Sequence, residues 1–196
     1  MAYNRFPVEQ YATLELNQVA FPKTGMVVSQ TPLGSAFTEQ APCENGMWVV
    51  ADKAAGAINA PAATTDKPIG IVYTAEKEYD IFHYGLKTFG RKIAGDYPRV
   101  GVLGIGDTVT TNCLQYSTSV FANDAALDTY LKGDLTSAPA YVIIDVTNTT
   151  GNVAIPGVPA IVKALPQNYA GAYGRVVKYY TVPNGEKGVK YQMIRV

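Results

Sequence analysis

A single imidazole and two thiols are all the His and Cys this chain carries, so nucleophilic or metal chemistry has few places to reside. His83 lies in Tyr79-Asp80-Ile81-Phe82-His83-Tyr84, which reads as a strand. A catalytic imidazole needs a nucleophile or carboxylate within hydrogen-bond reach. No Gly-x-Ser-x-Gly elbow provides one, so a structural or surface histidine is expected. Cys43 and Cys113 stand 70 positions apart. One pair makes no disulfide framework, and one His with two distant Cys makes no zinc ligand set. Both thiols are expected to be free and at least partly buried.

Gly101-Val102-Leu103-Gly104-Ile105-Gly106-Asp107 is glycine-rich, but its spacing reverses the dinucleotide fingerprint and a Thr-rich run follows it instead of a helix. It reads as a turn between strands. Glu76, Glu78 and Asp80 alternate and would share one side of a strand. That side could hold Ca²⁺ with help from carbonyls, or be a solvated edge guarded by Lys77; the solvated edge is the expectation. Asp96, Asp107 and Asp145 stand in no recognisable motif, and a glycoside-cleaving pair is defined by a separation that sequence does not display. The residues therefore predict no catalytic group, no cofactor and no metal: a protein that is not an enzyme.

The elements that must position these residues are mostly strands. Tyr11–Leu16 alternates, with Ala12, Leu14 and Leu16 on one face. Met26–Val28, Met47–Val50, Ile69–Tyr73, Val100–Leu103 and Tyr141–Val146 are short apolar runs of a buried sheet, and Asp107–Thr111 reads as an extended connection. Val153–Ile155 can pair back across the turn at 148–152. One short helix is predicted near 123–132: Asn123 caps it, Asp124 and Lys132 suit its dipole, and Gly133 can end it in the left-handed conformation. Arg175–Val182 and Val189–Ile194 form a terminal hairpin, with Pro183 and Gly185 as turn residues. Val177, Tyr179, Val189, Tyr191 and Met193 should face one way, and Lys178 and Lys190 outward. The fold class is all-β, a compact β-barrel or β-sandwich. Residues 1–20 form an N-terminal arm and first strand, with the arm, Met1–Gln10, expected to order only on a partner. Residues 21–196 form one all-β domain, or two lobes divided near 114–138.

Sixteen basic and sixteen acidic residues cancel, and charged residues are only 16% of the chain. Neutrality argues against a general nucleic-acid binder, and a weakly charged surface suits a protein held in an assembly. No apolar run approaches the roughly 18 residues of a transmembrane helix, and the first residues show no secretory h-region. No nucleic-acid and no membrane partner is expected. From Val146 onward six basic residues face one acid, a local net of +5. This is either scatter over solvated strands or a basic face for an acidic partner. Fourteen tyrosines serve sheet packing and, in part, contact surfaces. The candidate partner-binding residues are Tyr3, Arg5, Phe6 and Tyr11 around the arm, and Lys178, Tyr180 and Lys190 on the hairpin.

The series Asn45-Gly46-Met47-Trp48-Val49-Val50, Lys67-Pro68-Ile69-Gly70-Ile71-Val72-Tyr73, Tyr97-Pro98-Arg99-Val100-Gly101 and Gly106–Asn112 resembles small β-rich structural proteins of tailed bacteriophages, in particular capsid decoration (head-stabilising, cement) proteins. Phe21–Gly25 and the closing hairpin fit the same pattern. The resemblance implies a virion protein on the capsid exterior, made in the host cytoplasm. It would bind the shell of major capsid protein as a homo-oligomer, with a trimer favoured, and have no catalysis. It assigns no individual residue. Another phage component (tail or head-fibre), a surface adhesion module and a carboxylate-based hydrolase are the alternatives.

Overall fold

The computed structural model describes residues 2–8, 12–14, 27–28, 31–51, 53–74, 91–150, 152–181 and 185–196. Tyr11, the His83 strand, the 76–80 carboxylates and the 21–25 segment lie outside the described residues. In chain order the strands are β1 (Tyr3–Arg5), β2 (Val27–Val28), β3 (Cys43–Glu44), β4 (Trp48–Val50), β5 (Ile69–Val72), β6 (Arg91–Lys92), β7 (Val100–Val102) and β8 (Thr108–Thr111). They continue as β9 (Gln115–Ser117), β10 (Tyr141–Ile143), β11 (Asn148–Thr149), β12 (Asn152–Val153), β13 (Ala160–Val162), β14 (Tyr173–Thr181) and β15 (Lys187–Arg195). Among the described residues one α-helix, α1, spans Asp124–Lys132.

The chain is all-β. A seven-stranded sheet runs β1-β9-β13-β10-β14-β15-β8, and a four-stranded sheet runs β2-β7-β5-β4. The ends of the large sheet, β1 and β8, do not pair with each other, so the arrangement is sandwich-like and not a closed barrel. Trp48, Ile69 and Ile71 of the small sheet pack with Val142, Ile161, Val176 and Tyr191 of the large one. Val49, Val72 and Val100 face the other way, into a second cluster with Leu33, Phe37, Ile58 and both cysteines. The small sheet is thus covered on both faces, which is why its strands read as continuous apolar runs. Leu127 and Leu131 of α1 join the core that residues on both sides of 114–138 share.

Helix α1 starts as its sequence requires: the Asn123 side chain accepts the Ala126 N–H at 2.9 Å. Its end differs from expectation. Gly133 is extended (φ −72°, ψ −175°), and its N–H donates to the Tyr130 carbonyl at 3.2 Å. A tightened last turn satisfies the helix there without left-handed backbone.

Three further expectations are corrected. Asp107–Thr111 is no mere connection: Thr108–Thr111 is an edge strand paired with β15. The start of the chain is no free arm. Tyr3, Asn4 and Arg5 pair with Ser117, Tyr116 and Gln115, and the Phe6 N–H donates to the Leu114 carbonyl at 2.9 Å. Strand pairing and burial of the Phe6 ring offset the ordering entropy that a partner was expected to supply. In the terminal hairpin, Gly185 takes the positive φ (+89°) expected of it. Val177 does not face inward, however. A register shift between Val176 and Lys178 inserts one residue, so Val176 enters the core and Val177 is 56% exposed.

Candidate functional site

The candidate residues on the hairpin come together. Lys178 and Lys190 are directly opposite in the β14–β15 register, and Tyr180, opposite Gly188, follows two positions along on the same face. Lys178 is exposed, and Lys190 and Tyr180 are half-buried. Like charges facing each other across a sheet repel. Among the described residues no carboxylate forms an ion pair with either lysine. The bulge sets exposed Val177 beside them, an apolar residue that the regular alternation would have hidden. Val177 was missed because a bulge leaves no mark on the sequence of a single strand.

Other basic residues of this region also make contacts within the chain. Arg195 donates to the carbonyls of Gly171, at 2.8 Å, and Tyr169, and lies over the Tyr173 ring at 5.0 Å. Lys163 sits 4.9 Å from the Phe121 ring centre, and Lys187 donates to Thr181 Oγ1 at 2.9 Å. Arg175 and Lys187 are exposed as well, so the outward charge of the hairpin is carried by Arg175, Lys178, Lys187 and Lys190, with Lys178 and Lys190 directly opposed.

The other candidates lie at the far edge of the large sheet. Phe6, 3% exposed, is a core residue and presents little surface to a partner. Arg5 is half-buried and engaged: both its terminal nitrogens donate to Glu44, one at 3.2 Å. The buried Glu44 carboxylate also accepts the Ala12 N–H at 2.9 Å. Tyr3 donates its hydroxyl to Asp145. Burial, then the Asp145 carboxylate, push the Tyr3 phenol up to about 12. Tyr11 lies outside the described residues. Glu44 was not singled out from sequence, and its partner 39 positions away left no local signal.

A hollow of about 500 Å³ adjoins the inner side of the hairpin. Pro7, Val8, Ala125 and Tyr179 line it, with Asp124, Asp128, Glu186 and Lys187 among the polar residues of its wall. Its carboxylates are engaged: Asp124 accepts from Tyr116, Asp128 from Lys132 and Tyr179, and Glu186 from Asn112 at 2.9 Å.

Cys43 and Cys113 are free and fully buried. Burial raises both thiols, Cys113 to about 12 even with Arg5 pulling the other way. Neither carries the thiolate that nucleophilic attack requires. Among the described residues no group of three or more His, Cys, Asp or Glu could hold a metal ion, and no helix is long and apolar enough to cross a membrane. Set against family models, curated proteins and solved structures, the chain finds no match in any of the three.

Proposed function

We propose that the chain is a non-enzymatic virion structural protein that seats on the exterior of an assembled capsid and stabilises it. The observation that carries this reading is the Lys178–Lys190 pair. Two opposed cations with no carboxylate paired to them among the described residues, next to an outward valine, form a surface whose repulsion is relieved when acidic groups of a partner meet it. The partner is the shell of major capsid protein, and the resemblance to decoration proteins supports that choice. A homo-oligomer, a trimer foremost, presents several such hairpins to a repeating lattice, so weak single contacts suffice. Binding to the closed shell and not to its separated subunits stabilises the shell by mass action.

The test is co-sedimentation with purified capsid shells. Wild-type protein should pellet with them, and release should increase with salt, because exposed charge contacts are screened. The Lys178→Glu/Lys190→Glu variant should fold yet stay in the supernatant. Binding unchanged in that variant, or electron-microscopic density confined to the tail or to the shell interior, would overturn the reading.

A further inference from the structure

A groove of about 580 Å³ lies on the face of the seven-stranded sheet that points away from the core. Strand alternation creates it. Tyr116, Val142 and Ile161 point inward into the core cluster, and their neighbours Ser117, Ile143 and Val162 line the groove. Ile143 is 3% exposed yet belongs to neither core cluster, so it forms an apolar floor. Polar residues from distant segments rise around it: Tyr3 from β1, Asp145 and Thr147 after β10, Asn152 from β12, and Lys163 after β13.

These side chains are held, and they have capacity left over. Asp145 Oδ1 accepts from the Thr147 N–H at 2.9 Å and from its hydroxyl at 2.6 Å, and Oδ2 accepts from Tyr3. A carboxylate offers about four acceptor positions, so one remains. Asn152 Oδ1 is shielded from water and has no hydrogen-bond partner. Such a group in a groove wall needs an explanation. The Lys163 ammonium lies over Phe121 and Tyr130, at 4.9 and 5.3 Å from the ring centres, with no carboxylate paired to it among the described residues.

We infer that this groove binds a neutral polyhydroxylated ligand, a saccharide. One carboxylate and one ammonium cancel, so the groove favours neither an anion nor a cation. It offers an acceptor (Asp145) and donors (Lys163 and the Asn152 amide) within one cleft, matching hydroxyls that donate and accept at once. The half-buried Val162, beside the buried Ile143, suits the C–H face of a sugar ring. The volume falls in the range of small-ligand clefts, with a few placed polar groups on an apolar base. The site lies apart from the Lys178–Lys190 surface and does not rest on the capsid reading.

The test uses the isolated full chain, isotopically labelled, titrated with maltotriose, mannotriose and N-acetyllactosamine, with sialyllactose and a hexaglutamate peptide as charged probes. At least one neutral saccharide should shift amides around 143–147, 152 and 160–163 at concentrations up to on the order of 10 mM. Asn152→Ala should weaken that binding at least about tenfold, and so should Asp145→Asn, whose fold is checked by its melting temperature. Lys178→Glu should leave it unchanged. The inference is overturned if no neutral saccharide shifts these amides, if hexaglutamate or sialyllactose binds more tightly than all of them, or if folded Asn152→Ala binds like wild type.

Discussion

The Trp48 indole N–H donates to the Tyr191 hydroxyl at 2.9 Å, and this bond ties the small sheet to the large one across the shared core. The rings lie 6.0 Å apart at 59°, and neither side chain is more than 1% exposed. Tyr191→Phe keeps the ring and removes the acceptor, leaving a buried indole N–H unsatisfied. A loss of about 1–3 kcal/mol is expected. Trp48 is the only tryptophan, so its fluorescence during urea unfolding reads the change directly. An unshifted midpoint would contradict the role given to this bond.

Alkali should unfold the protein through its tyrosines. Burial first, with Asp145 adding at Tyr3, raises the phenols of Tyr3 and Tyr169 from 10.0 to about 12, and those of Tyr179 and Tyr191 higher still. A group whose pKa is raised on folding stabilises the native state fully below its unfolded pKa. That contribution is lost as pH climbs from about 10 toward 12 and beyond, where only the unfolded chain releases the proton. Tyrosinate absorbance followed together with circular dichroism should show a late set of tyrosines ionising as the sheet signal collapses. A single early titration of all of them with the sheet intact would refute this.

Arg5→Met should destabilise by about 3–5 kcal/mol, because it strands the Glu44 carboxylate in the interior. The double variant Arg5→Met/Glu44→Met removes both charges and should cost less than the sum of the two single variants. Chemical denaturation of all four proteins closes the cycle, and additive costs would mean that the pair is not coupled.

Native protein should react slowly with a thiol reagent such as DTNB, because burial keeps both thiols protonated. Denatured without reductant, it should release two thiols per chain. Fewer than two in fresh protein would show oxidation that this fold does not contain.

Features that depend on neighbouring residues were legible in the sequence, and those that depend on distant partners were not. The Asn123 cap and the Ile69–Val72 strand follow from residue types a few positions apart. Val177 escaped because one inserted residue inverts the side-chain alternation without changing composition. Tyr3-Asn4-Arg5 carries no apolar period, and only its pairing to Gln115–Ser117 makes it a strand. The hairpin lysines could be placed on one outward face because the register runs unbroken from the turn to the Lys178–Lys190 pair. The groove could not, since Tyr3, Asp145, Asn152 and Lys163 meet only through sheet topology. Gln115 is similar: fully buried, it donates to the carbonyls of Ile155 and Val158 at 3.0 and 2.6 Å and accepts the Ile155 N–H at 2.7 Å, and no short-range pattern marks it.

The strand order also sets a timetable for synthesis. The four strands of the small sheet all lie between Val27 and Val102, so the ribosome delivers that sheet early. Its cover arrives last, because Tyr191 and Met193 sit in β15, the strand that also pairs along β8. Between those moments the nascent chain carries Trp48, Ile69 and Ile71 without the sheet that shields them. Pairings this distant in sequence form slowly, and bare apolar surface attracts other unfinished chains. Slower translation or a holdase chaperone should therefore raise the yield of native protein more than any stabilisation of the finished fold.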